Sequence, residues 1–528
     1  MIKKAEIITI LAGLLFVYIT DSARAVINDV QITPDEPTTE DIIAVVTFGT
    51  ESSRPVKVID TDVDITDSEI GVDLTLELGP FFEVTEWSYS VDIGRLSAGT
   101  YDLTVRTIVN SVLTDTYFKT FQVMPAPPMT LDGSGTQQDP WLIQSLDDFN
   151  EFAAIKYYWD DYTRLETDVN LAGMVYERAV IAWDVNDEES GFQGTEFRGV
   201  FDGNNHTISN FKYDCNEVIW VGVFGCIRGA NPEIKNLGLI APNVNAGTGQ
   251  YVGSLVGYNL FGTIINCFVE GGIVAGSNRV GGLVGLSHFG TITNCYSTGD
   301  VRGQEWVGGL VGVNGSSISD CYSTGDVNGV DYVGGLAGWS RGSVSNCYST
   351  GDVRGQEWVG GLVGENWSSI SNCYSTGDVN GVDYVGGLVG SNGGWHPSLG
   401  GFHGYVFGSY STGSIQGASY VGGLVGYNEL GDIEKSCWDI ETSNEPNMCG
   451  YQHSNATGCD PNYGLPTTQM KKRSTFTDAD WDFINVWNIG ENQTYPYLRT
   501  FFAADLNKDG IVNFLDLSIT ANQWMKEE

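Results

Sequence analysis

Basic residues are scarce in this chain of 528 residues. Lysine and arginine together number 26 against 66 aspartates and glutamates, which gives a formal net charge of −40 at pH 7. This excess argues strongly against nucleic acid as a partner, because binding to a phosphate backbone requires clustered positive side chains. It instead favours solubility and tolerance of cations, and the length leaves room for two to four domains.

Several chemical motifs are also missing. The five histidines are scattered, and the sequence contains no HExxH zinc-protease motif. No cysteine precedes Cys215, which excludes an antibody-type disulfide in the first part of the chain and a lipid-bearing cysteine at the mature N-terminus. After the first 25 residues no stretch is apolar enough to span a bilayer, so we expect no transmembrane segment in the mature chain.

Residues 1–25 have the features of a secretory signal peptide. Lys3 and Lys4 form a basic start, an apolar run extends over 7–20, and Ala23 and Ala25 supply the small residues of a cleavage site. The apolar run is shorter than the roughly 20 residues that a membrane anchor requires. The sequence thus predicts a secreted, extracellular protein and leaves attachment to the cell surface open.

A seven-residue motif is repeated in the centre of the chain. Cys-Tyr-Ser-Thr-Gly-Asp-Val begins at Cys295 and recurs every 26 residues at Cys321, Cys347 and Cys373, with a Val-Gly-Gly-Leu-Val/Ala-Gly motif between the copies. The repeats contain few good helix formers, which excludes helical solenoids, and they are too short for a propeller blade. Short β-branched and aromatic segments divided by glycine predict strands and turns. We therefore expect each repeat to form one turn of a right-handed β-helix, about 4.8 Å from the next.

In-register stacking converts each repeat position into a column of side chains. A cysteine column either packs as small hydrophobes or forms a disulfide or metal ladder; the spacing between turns exceeds the roughly 3.8 Å between Cβ atoms that a disulfide prefers, which favours packing. An acidic column through Asp300 is either solvated or shares cations. An aromatic column either braces the turns by stacking or offers a platform for sugar rings. The platform residues would be Trp306, Tyr332, Trp358 and Tyr384.

The segments around the repeats complete the expected domain organisation. Residues 26–124 have the strand and turn pattern of an immunoglobulin-like β-sandwich, and a Pro-rich linker follows at 125–129. The β-helix with its N-terminal cap occupies 130–500, where Ser145 is the expected N-cap of a short helix over 146–155 that covers the open end of the coil. The expected fold class is all-β, with a β-helix of about eight turns.

Two features interrupt the repeat pattern. An insertion over 393–404 carries one tryptophan and two histidines and is expected to project as a loop, where binding residues are frequent. It is the strongest break of the repeat symmetry, although it identifies no catalytic residue. Cys449 and Cys459 lie in a loop-like segment away from the cysteine column, and in an exported protein they either form a disulfide or remain free.

The C-terminal segment, residues 503–528, contains a twelve-residue pattern typical of an EF-hand calcium loop. Oxygen ligands fall at positions 1, 3, 5, 9 and 12, a backbone carbonyl falls at position 7, and Gly510 at position 6 permits the sharp turn. The alternative is an acidic loop that arose by chance. The expected Ca²⁺ ligands are Asp505, Asn507, Asp509, Ile511 through its carbonyl, Asn513 and Asp516.

These motifs resemble two known families. The Gly-Gly-Leu-Val-Gly and Asn-Cys-Tyr-Ser-Thr-Gly motifs resemble the GLUG repeat of secreted bacterial adhesin-like and peptidase-associated proteins. The calcium loop, with Leu517, Ala521 and Trp524 at helical spacing after it, resembles one half of a type I dockerin, although dockerins carry two such loops and this chain has one. The second resemblance implies Ca²⁺ binding and a cohesin-type partner.

Two functional hypotheses follow. The first is a secreted or cell-surface, non-catalytic protein in which the GLUG β-helix serves as a stalk for adhesion or for binding a polysaccharide or surface glycan, and the dockerin-like tail attaches or assembles it. The alternative is a polysaccharide-degrading enzyme, a glycoside hydrolase or lyase, or an accessory subunit of a cellulosome-type complex in polysaccharide catabolism. Carboxylates occur along the whole repeat, and no pair stands out as the one that hydrolysis requires.

The calcium loop is testable by calorimetric titration of the mature protein with Ca²⁺. We expect an Asp505→Ala, Asp509→Ala double variant to lose one binding event, because it removes two of the carboxylates that neutralise the ion. Identical titrations of the two proteins would show that the loop binds no calcium.

Overall fold

The computed structural model describes residues 26–33, 43–50, 56–66, 68–78, 86–94, 96–109, 112–125, 128–185, 191–216, 219–396 and 400–499. The chain forms two compact units, which meet in sequence between Thr130 and Leu131. The predicted signal peptide and the predicted calcium loop lie outside the described residues.

Two β-sheets share one hydrophobic core in the first unit. The smaller sheet is antiparallel, and the larger sheet contains one parallel pair, in which Val72 is the register partner of Val105. Alternate residues of both sheets, such as Val45, Val72 and Leu103, are buried in the core between them, as expected of a β-sandwich. The smaller sheet consists of Val26–Thr33, Ile43–Thr50 and Glu86–Gly94, and the larger of Val56–Thr66, Glu69–Leu78, Gly99–Val109 and Val112–Val123.

The second unit is a β-solenoid of about nine parallel turns, so the expected β-helix is confirmed. In the regular part each residue is paired with its equivalent 26 positions further on, as Val307 is with Val333 and Val333 with Val359. The repeat count indicated about eight turns, because the turns at the N-terminal end lack the repeated motif. Each regular turn passes through four parallel sheets, here named sheets 1 to 4.

The strands of the solenoid are short and their sheets are long. Sheet 1 contains Val169–Asn170, Thr207–Ser209, Gly238–Ile240, Phe268–Glu270, Tyr296–Ser297, Tyr322–Ser323, Tyr348–Ser349, Tyr374–Ser375, Tyr410–Ser411, Cys437–Asp439 and Gly464–Leu465. Sheet 2 contains Lys212–Asp214, Asn243–Asn245, Ile273–Ala275, Asp300–Arg302, Val327–Asn328, Val353–Arg354, Val379–Asn380 and Ile415–Gln416. Sheet 3 contains Ile219–Val221, Gln250–Val252, Asn278–Gly281, Glu305–Gly308, Asp331–Gly334, Glu357–Gly360, Asp383–Gly386 and Ser419–Gly422.

Sheet 4 is the largest and runs the length of the solenoid. It contains Trp141–Ile143, Tyr162–Leu165, Val200–Asp202, Phe224–Arg228, Glu233–Lys235, Val256–Leu260, Thr263–Ile265, Val284–Thr293, Val311–Ser319, Ala337–Ser340, Val344–Ser345, Val363–Asn366, Ser369–Ser371, Val389–Asn392, Tyr405–Phe407, Val425–Asn428, Asp432–Glu434 and Cys449–Gln452. Two antiparallel hairpins pair Gly394–His396 with Gly400–Phe402 and Trp487–Asn488 with Tyr497–Leu498. The α-helices are Leu146–Ala154, Ile440–Ser443, Thr467–Met470 and Arg473–Thr477, and the 3₁₀ helices are Lys156–Tyr158 and Pro461–Tyr463.

The helix Leu146–Ala154 lies at the N-terminal end of the solenoid, as predicted. The Ser145 side chain caps it by accepting a hydrogen bond from the Asp148 amide at 3.1 Å, and acidic residues in the first turn complement the helix dipole. Its buried face packs on the first turns, where the rings of Phe152 and Phe201 lie 5.5 Å apart. The helix thereby covers apolar side chains that would otherwise face water.

Asparagines form one corner of each turn. They adopt left-handed backbone conformations with φ near +53°, which asparagine and aspartate tolerate better than other side chains. Their amides also link the turns, since Asn266 donates to Asn236 at 2.9 Å and Asn294 donates to Asn266 at 2.6 Å. The corner column consists of Asn236, Asn266, Asn294, Asp320, Asn346, Asn372, Gly408 and Lys435.

The paired glycines of each repeat allow the chain to approach itself closely inside the solenoid. A Cβ atom on Gly335 would lie 2.1 Å from the Ser349 hydroxyl and 2.2 Å from the carbonyl oxygen of Gly361. Ser349 comes from the Cys-Tyr-Ser motif of the same turn and is fully buried. The two repeated motifs therefore face each other across the interior, and the glycine leaves room for the serine.

Residues 470–498 fold back onto sheet 1. Tyr348, Tyr374 and Tyr410 are buried beneath it, together with Phe476 and Trp487. These side chains form a second hydrophobic cluster outside the coil, which holds the segment against the last turns.

Two glycine substitutions should have opposite effects on the thermal stability of the solenoid, measured by circular dichroism. We expect Gly335→Ala to lower the free energy of unfolding by about 3 kcal/mol, because the added methyl group overlaps the backbone. Gly408→Asn should be neutral or stabilising by up to about 1 kcal/mol, because Gly408 occupies the asparagine corner with a φ of 55°. Equal effects of the two changes would contradict the assigned roles of these glycines.

Candidate functional site

The aromatic column runs along sheet 3 and stacks on itself. Adjacent rings are nearly parallel: Tyr332 and Trp358 have centroids 4.4 Å apart at 3°, and Trp358 and Tyr384 have centroids 5.4 Å apart at 5°. Arg279 occupies one position of the column and lies between the rings of Tyr251 and Trp306, 4.7 and 4.6 Å from their centroids. The column consists of Trp220, Tyr251, Arg279, Trp306, Tyr332, Trp358, Tyr384 and Tyr420.

Backbone geometry sets the direction of these rings. Every residue of the aromatic column has a positive φ, between 52° and 67°. The valine that follows each of them is buried in the solenoid interior, except Val421 after Tyr420, which is partly exposed. Because the rings stack along the solenoid axis, each covers the face of its neighbour, and their edges are left to line the adjacent surface. The predicted platform residues therefore present mainly ring edges and tyrosine hydroxyls to a ligand, and not the flat ring faces.

A second column lies beside the first, on sheet 4, and its residue type changes from turn to turn. Register pairs connect Trp339 to Glu365, Glu365 to Ser391 and Ser391 to Tyr427. This variable column consists of Cys226, Tyr258, Leu286, Val313, Trp339, Glu365, Ser391, Tyr427 and Tyr451.

A pocket of about 520 Å³ opens between the two columns. It lies at the two turns where the variable column carries Glu365 and the small Ser391. On the turns before and after them, aromatic side chains fill the equivalent space. Trp339 and Tyr427 form the ends of this gap. The pocket is lined by Trp306, Tyr332, Trp339, Trp358, Glu365, Trp367, Tyr384, Ser391, Tyr427 and Glu429. All four predicted platform residues therefore line it.

The insertion over 393–404 lies at the edge of this pocket. Its hairpin places Phe402 parallel to Trp367, with centroids 4.5 Å apart at 12°. Arg341 lies against the same group, its guanidinium 5.1 Å from the Phe402 ring and 5.5 Å from the Trp339 ring. The strongest break of the repeat symmetry in the sequence thus supports one wall of the pocket.

Two carboxyl groups in the pocket have raised pKa values. The pKa of Glu365 is raised from 4.5 to about 7, mainly by burial; a hydrogen bond from the Trp367 indole lowers it, and the nearby Glu429 carboxylate adds a smaller increase. Burial also raises the pKa of Glu429, while His453 lowers it. Glu365 is consequently protonated in a substantial fraction of molecules near neutral pH.

The phenols share this acidic environment. The pKa of Tyr332 is raised by burial and then by four carboxylates, among which Glu365 has the largest effect. The other three belong to Glu305, Asp331 and Glu357, which lie on sheet 3 next to the aromatic column. The Tyr332 hydroxyl therefore stays protonated and can donate a hydrogen bond.

The cysteine column packs as small buried side chains. Cys295, Cys321 and Cys347 are free and fully buried, and each thiol donates to the carbonyl oxygen two residues earlier, as Cys295 does to Thr293 at 3.2 Å. Burial raises the pKa of the Cys347 thiol, which keeps it protonated. The column has a packing role in the core rather than a disulfide role.

The acidic column has a structural role that the sequence did not indicate. The Asp300 carboxylate accepts a hydrogen bond from the Asp326 amide of the next turn at 3.2 Å, and Asp326 accepts one from Asp352 at 3.0 Å. Arg354 neutralises part of this column through an ion pair with Asp352 at 2.9 Å. These carboxylates therefore join neighbouring turns in addition to facing solvent.

The remaining predicted site residues lie elsewhere. Cys449 and Cys459 form a disulfide with Cα atoms 5.7 Å apart, beside the last turns of sheet 4. The calcium ligands from Asp505 to Asp516 fall beyond residue 499, outside the described residues. Over the described ranges, no group of three or more histidine, cysteine, aspartate or glutamate side chains is arranged to hold a metal ion. None of the helices in that part of the chain is long and apolar enough to cross a membrane.

Sequence-based reasoning found one wall of the pocket and missed the other. Glu365, Ser391 and Tyr427 follow the repeated Gly-Gly-Leu-Val-Gly motif directly, at a position that differs from each copy to the next. A position that varies within otherwise near-identical repeats was the available signal. Whether a residue at this position lines a pocket depends on the side chains of the neighbouring turns, and the sequence alone does not show where those side chains lie.

Comparison with known proteins identifies the repeats. The model of the GLUG motif matches residues 248–274, 276–302, 305–328, 329–354 and 357–380. The protein therefore carries GLUG repeats in a β-solenoid.

Two relatives share part of the chain. A protein of Evansella cellulosilytica, provisionally named a Gly-rich membrane protein, is 35% identical over 192 residues, which are 35% of this chain and 21% of the relative. Halomucin of Haloquadratum walsbyi is 32% identical over 141 residues, which are 26% of this chain and 1% of halomucin. The chain thus spans only a small part of either relative.

One solved structure resembles part of this chain. A crystal structure from Bacteroides ovatus, provisionally named an immunoglobulin A1 protease, is 22% identical to this chain with a TM-score of 0.40, and the match covers 70% of this chain and 94% of the chain in that structure.

The raised pKa of Glu365 predicts a pH dependence of stability. Because the folded state holds this proton more tightly than the unfolded state, the contribution is fully present below pH 4.5 and is lost as pH rises through about 7. Glu365→Gln should remove this loss. Between pH 5 and pH 8, the free energy of unfolding of the wild-type protein should therefore fall by about 2 kcal/mol more than that of the variant. Thermal melts at both pH values measure the difference, and parallel pH profiles would contradict it.

Proposed function

We propose that this is a secreted, non-catalytic surface protein whose GLUG β-solenoid binds a glycan in the pocket between the aromatic and variable columns. The pocket itself carries the proposal. Ligand sites are concave, rich in aromatic side chains and provided with a few polar groups that fix orientation, and this pocket combines indoles and phenols with Glu365, Ser391 and Glu429.

The shape of the site suits an extended oligosaccharide. The aromatic column is straight, and its rings follow one another at the spacing of the turns, about 4.8 Å, which is close to the length of one pyranose unit in a β-1,4-linked chain. The stacked rings present their edges, so apolar contacts to the sugar would come from ring edges. The hydroxyls of Tyr332, Tyr384 and Tyr427 would meet the hydroxyl groups of the sugar.

The partial relatives support a location at the cell surface. One is named as a membrane protein and the other as a halomucin, and the predicted signal peptide agrees with export. The dockerin-like tail would then attach the stalk to a cohesin-type module or another surface component in the presence of Ca²⁺. In this arrangement the tail provides attachment and the pocket provides adhesion.

Glycan-array binding of the purified protein tests the proposal. We expect Trp358→Ala to weaken binding to the retained glycans about tenfold or more, since a large contact surface in the middle of the pocket is lost. Tyr420→Ala is the matched control, because Tyr420 belongs to the same column but does not line the pocket. Binding that is insensitive to Trp358→Ala, or equally sensitive to both changes, would rule out this pocket.

Glycan cleavage is a second candidate function, favoured by one observation. Glu365 has a pKa of about 7, the range of a general acid, and shares the pocket with the carboxyl group of Glu429, which is the combination a glycoside hydrolase uses. Release of reducing ends from a bound glycan, abolished in Glu365→Gln, would establish hydrolysis and reject the non-catalytic proposal. Intact glycan after prolonged incubation would exclude it.

A further inference from the structure

Within the described ranges, no lysine or arginine forms an ion pair with the carboxyl groups of the pocket. Ion pairs in the described part of the chain involve other acidic residues, such as Asp352 with Arg354 and Asp480 with Lys435, and none involves Glu365 or Glu429. Glu365 is largely removed from solvent among aromatic side chains. A carboxylate in such a place is costly unless a positive group approaches it.

Arg341, which lies against the aromatic wall of the pocket, is engaged elsewhere. The guanidinium of Arg341 lies 5.5 Å from the Trp339 centroid, 6.0 Å from the Trp367 centroid and 5.1 Å from the Phe402 centroid. Cation–π contacts with these rings stabilise the guanidinium charge. Arg341 therefore supports the wall of the pocket and does not neutralise its carboxylates. On the opposite side, His453 lies close enough to Glu429 to lower its pKa but forms no ion pair with it.

The wall formed by sheet 3 adds negative charge. Glu305, Asp331, Glu357 and Asp383 occupy one register position on successive turns, each adjacent in sequence to a residue of the aromatic column. Burial and then the neighbouring Glu305 carboxylate raise the pKa of Asp331, while a hydrogen bond with the Glu357 backbone lowers it. Glu365 and Glu429 line the pocket itself, and the four sheet 3 carboxylates lie next in sequence to its aromatic lining residues, in a protein that is acidic overall.

We infer that the pocket prefers glycans containing hexosamine units with free, protonated amino groups over neutral glycans, and excludes uronic acids. This inference rests on the proposed glycan binding and specifies its chemistry. An ammonium group on the sugar would supply the positive charge that Glu365 and Glu429 lack, through charge-assisted hydrogen bonds. A uronate would meet only like charges.

The spacing of the two carboxyl groups agrees with a chain of such units. Register pairs place Glu365 opposite Ser391, and Ser391 opposite Tyr427, on the next two turns. Glu429 follows Tyr427 by two residues, so the two glutamates are separated by two turns, about 10 Å along the axis. This distance corresponds to about two pyranose units, which allows amino groups on separate units of one oligosaccharide to reach both glutamates.

Calorimetric titration at pH 7, where Glu365 is ionised in about half of the molecules, tests the inference with three tetrasaccharides: β-1,4-linked glucosamine, its fully N-acetylated form, and α-1,4-linked galacturonate. For the full-length protein we expect the glucosamine tetramer to bind about tenfold or more tightly than the N-acetylated one, and galacturonate to bind most weakly. Glu365→Gln and Glu429→Gln should each reduce the preference to about threefold or less, because only the charged ligand depends on the carboxylates. The same variants should leave the affinity for the N-acetylated tetramer within about twofold.

Glu270→Gln is the matched control, since it removes one negative charge from sheet 1, where Glu270 accepts a hydrogen bond from Tyr296, and should leave the preference intact. Unaltered thermal melts show that each variant is folded. Equal affinities for the charged and neutral tetramers, a preference for galacturonate, or an unchanged preference in both pocket variants would overturn the inference while leaving glycan binding established. No binding of any tetramer or array glycan would instead overturn the proposed glycan-binding function, and this inference with it.

Discussion

Hydrogen bonding between parallel, in-register turns is the constraint on which the structure depends. Because each turn repeats the backbone path of the previous one, every repeat position is stacked on its equivalents, and a side chain must be compatible with copies of itself above and below. Asparagine satisfies this condition through amide bonds between turns, aspartate through bonds to the next backbone amide, and cysteine by being small. The repeated motifs are the residue types that tolerate such stacking.

The same constraint explains the strict glycine pairs and the left-handed corners. A turn of this coil has little interior space, and the buried serine of one motif occupies the volume that a Cβ on the glycine of the other would need. The corner and aromatic columns both require positive φ at every turn. Aromatic residues accept that conformation here because stacking and burial of their rings compensate for the backbone strain.

Function in such a repetitive structure depends on where the repetition fails. Most columns are uniform and serve the fold, whereas the variable column is free to differ because it faces outward beside the aromatic column. One glutamate and one serine in this column open a pocket, and an inserted hairpin braces one wall of it through Phe402 and Trp367. Burial then separates Glu365 from solvent and raises the pKa of its carboxyl group into the neutral range.

The amino-acid sequence by itself determined the β-helix and the packing of the cysteine column, because both depend on chemistry repeated at a fixed period, and the N-cap at Ser145, because capping depends on local chemistry. It also identified the aromatic column and the inserted loop, but as separate features. Only the tertiary structure brought these together with Glu365, Ser391 and Glu429, since residues 26 to 36 positions apart become neighbours through the stacking of turns. The direction of the rings and the burial that raises the pKa of Glu365 are likewise properties of packed surfaces, for which no local sequence signal exists.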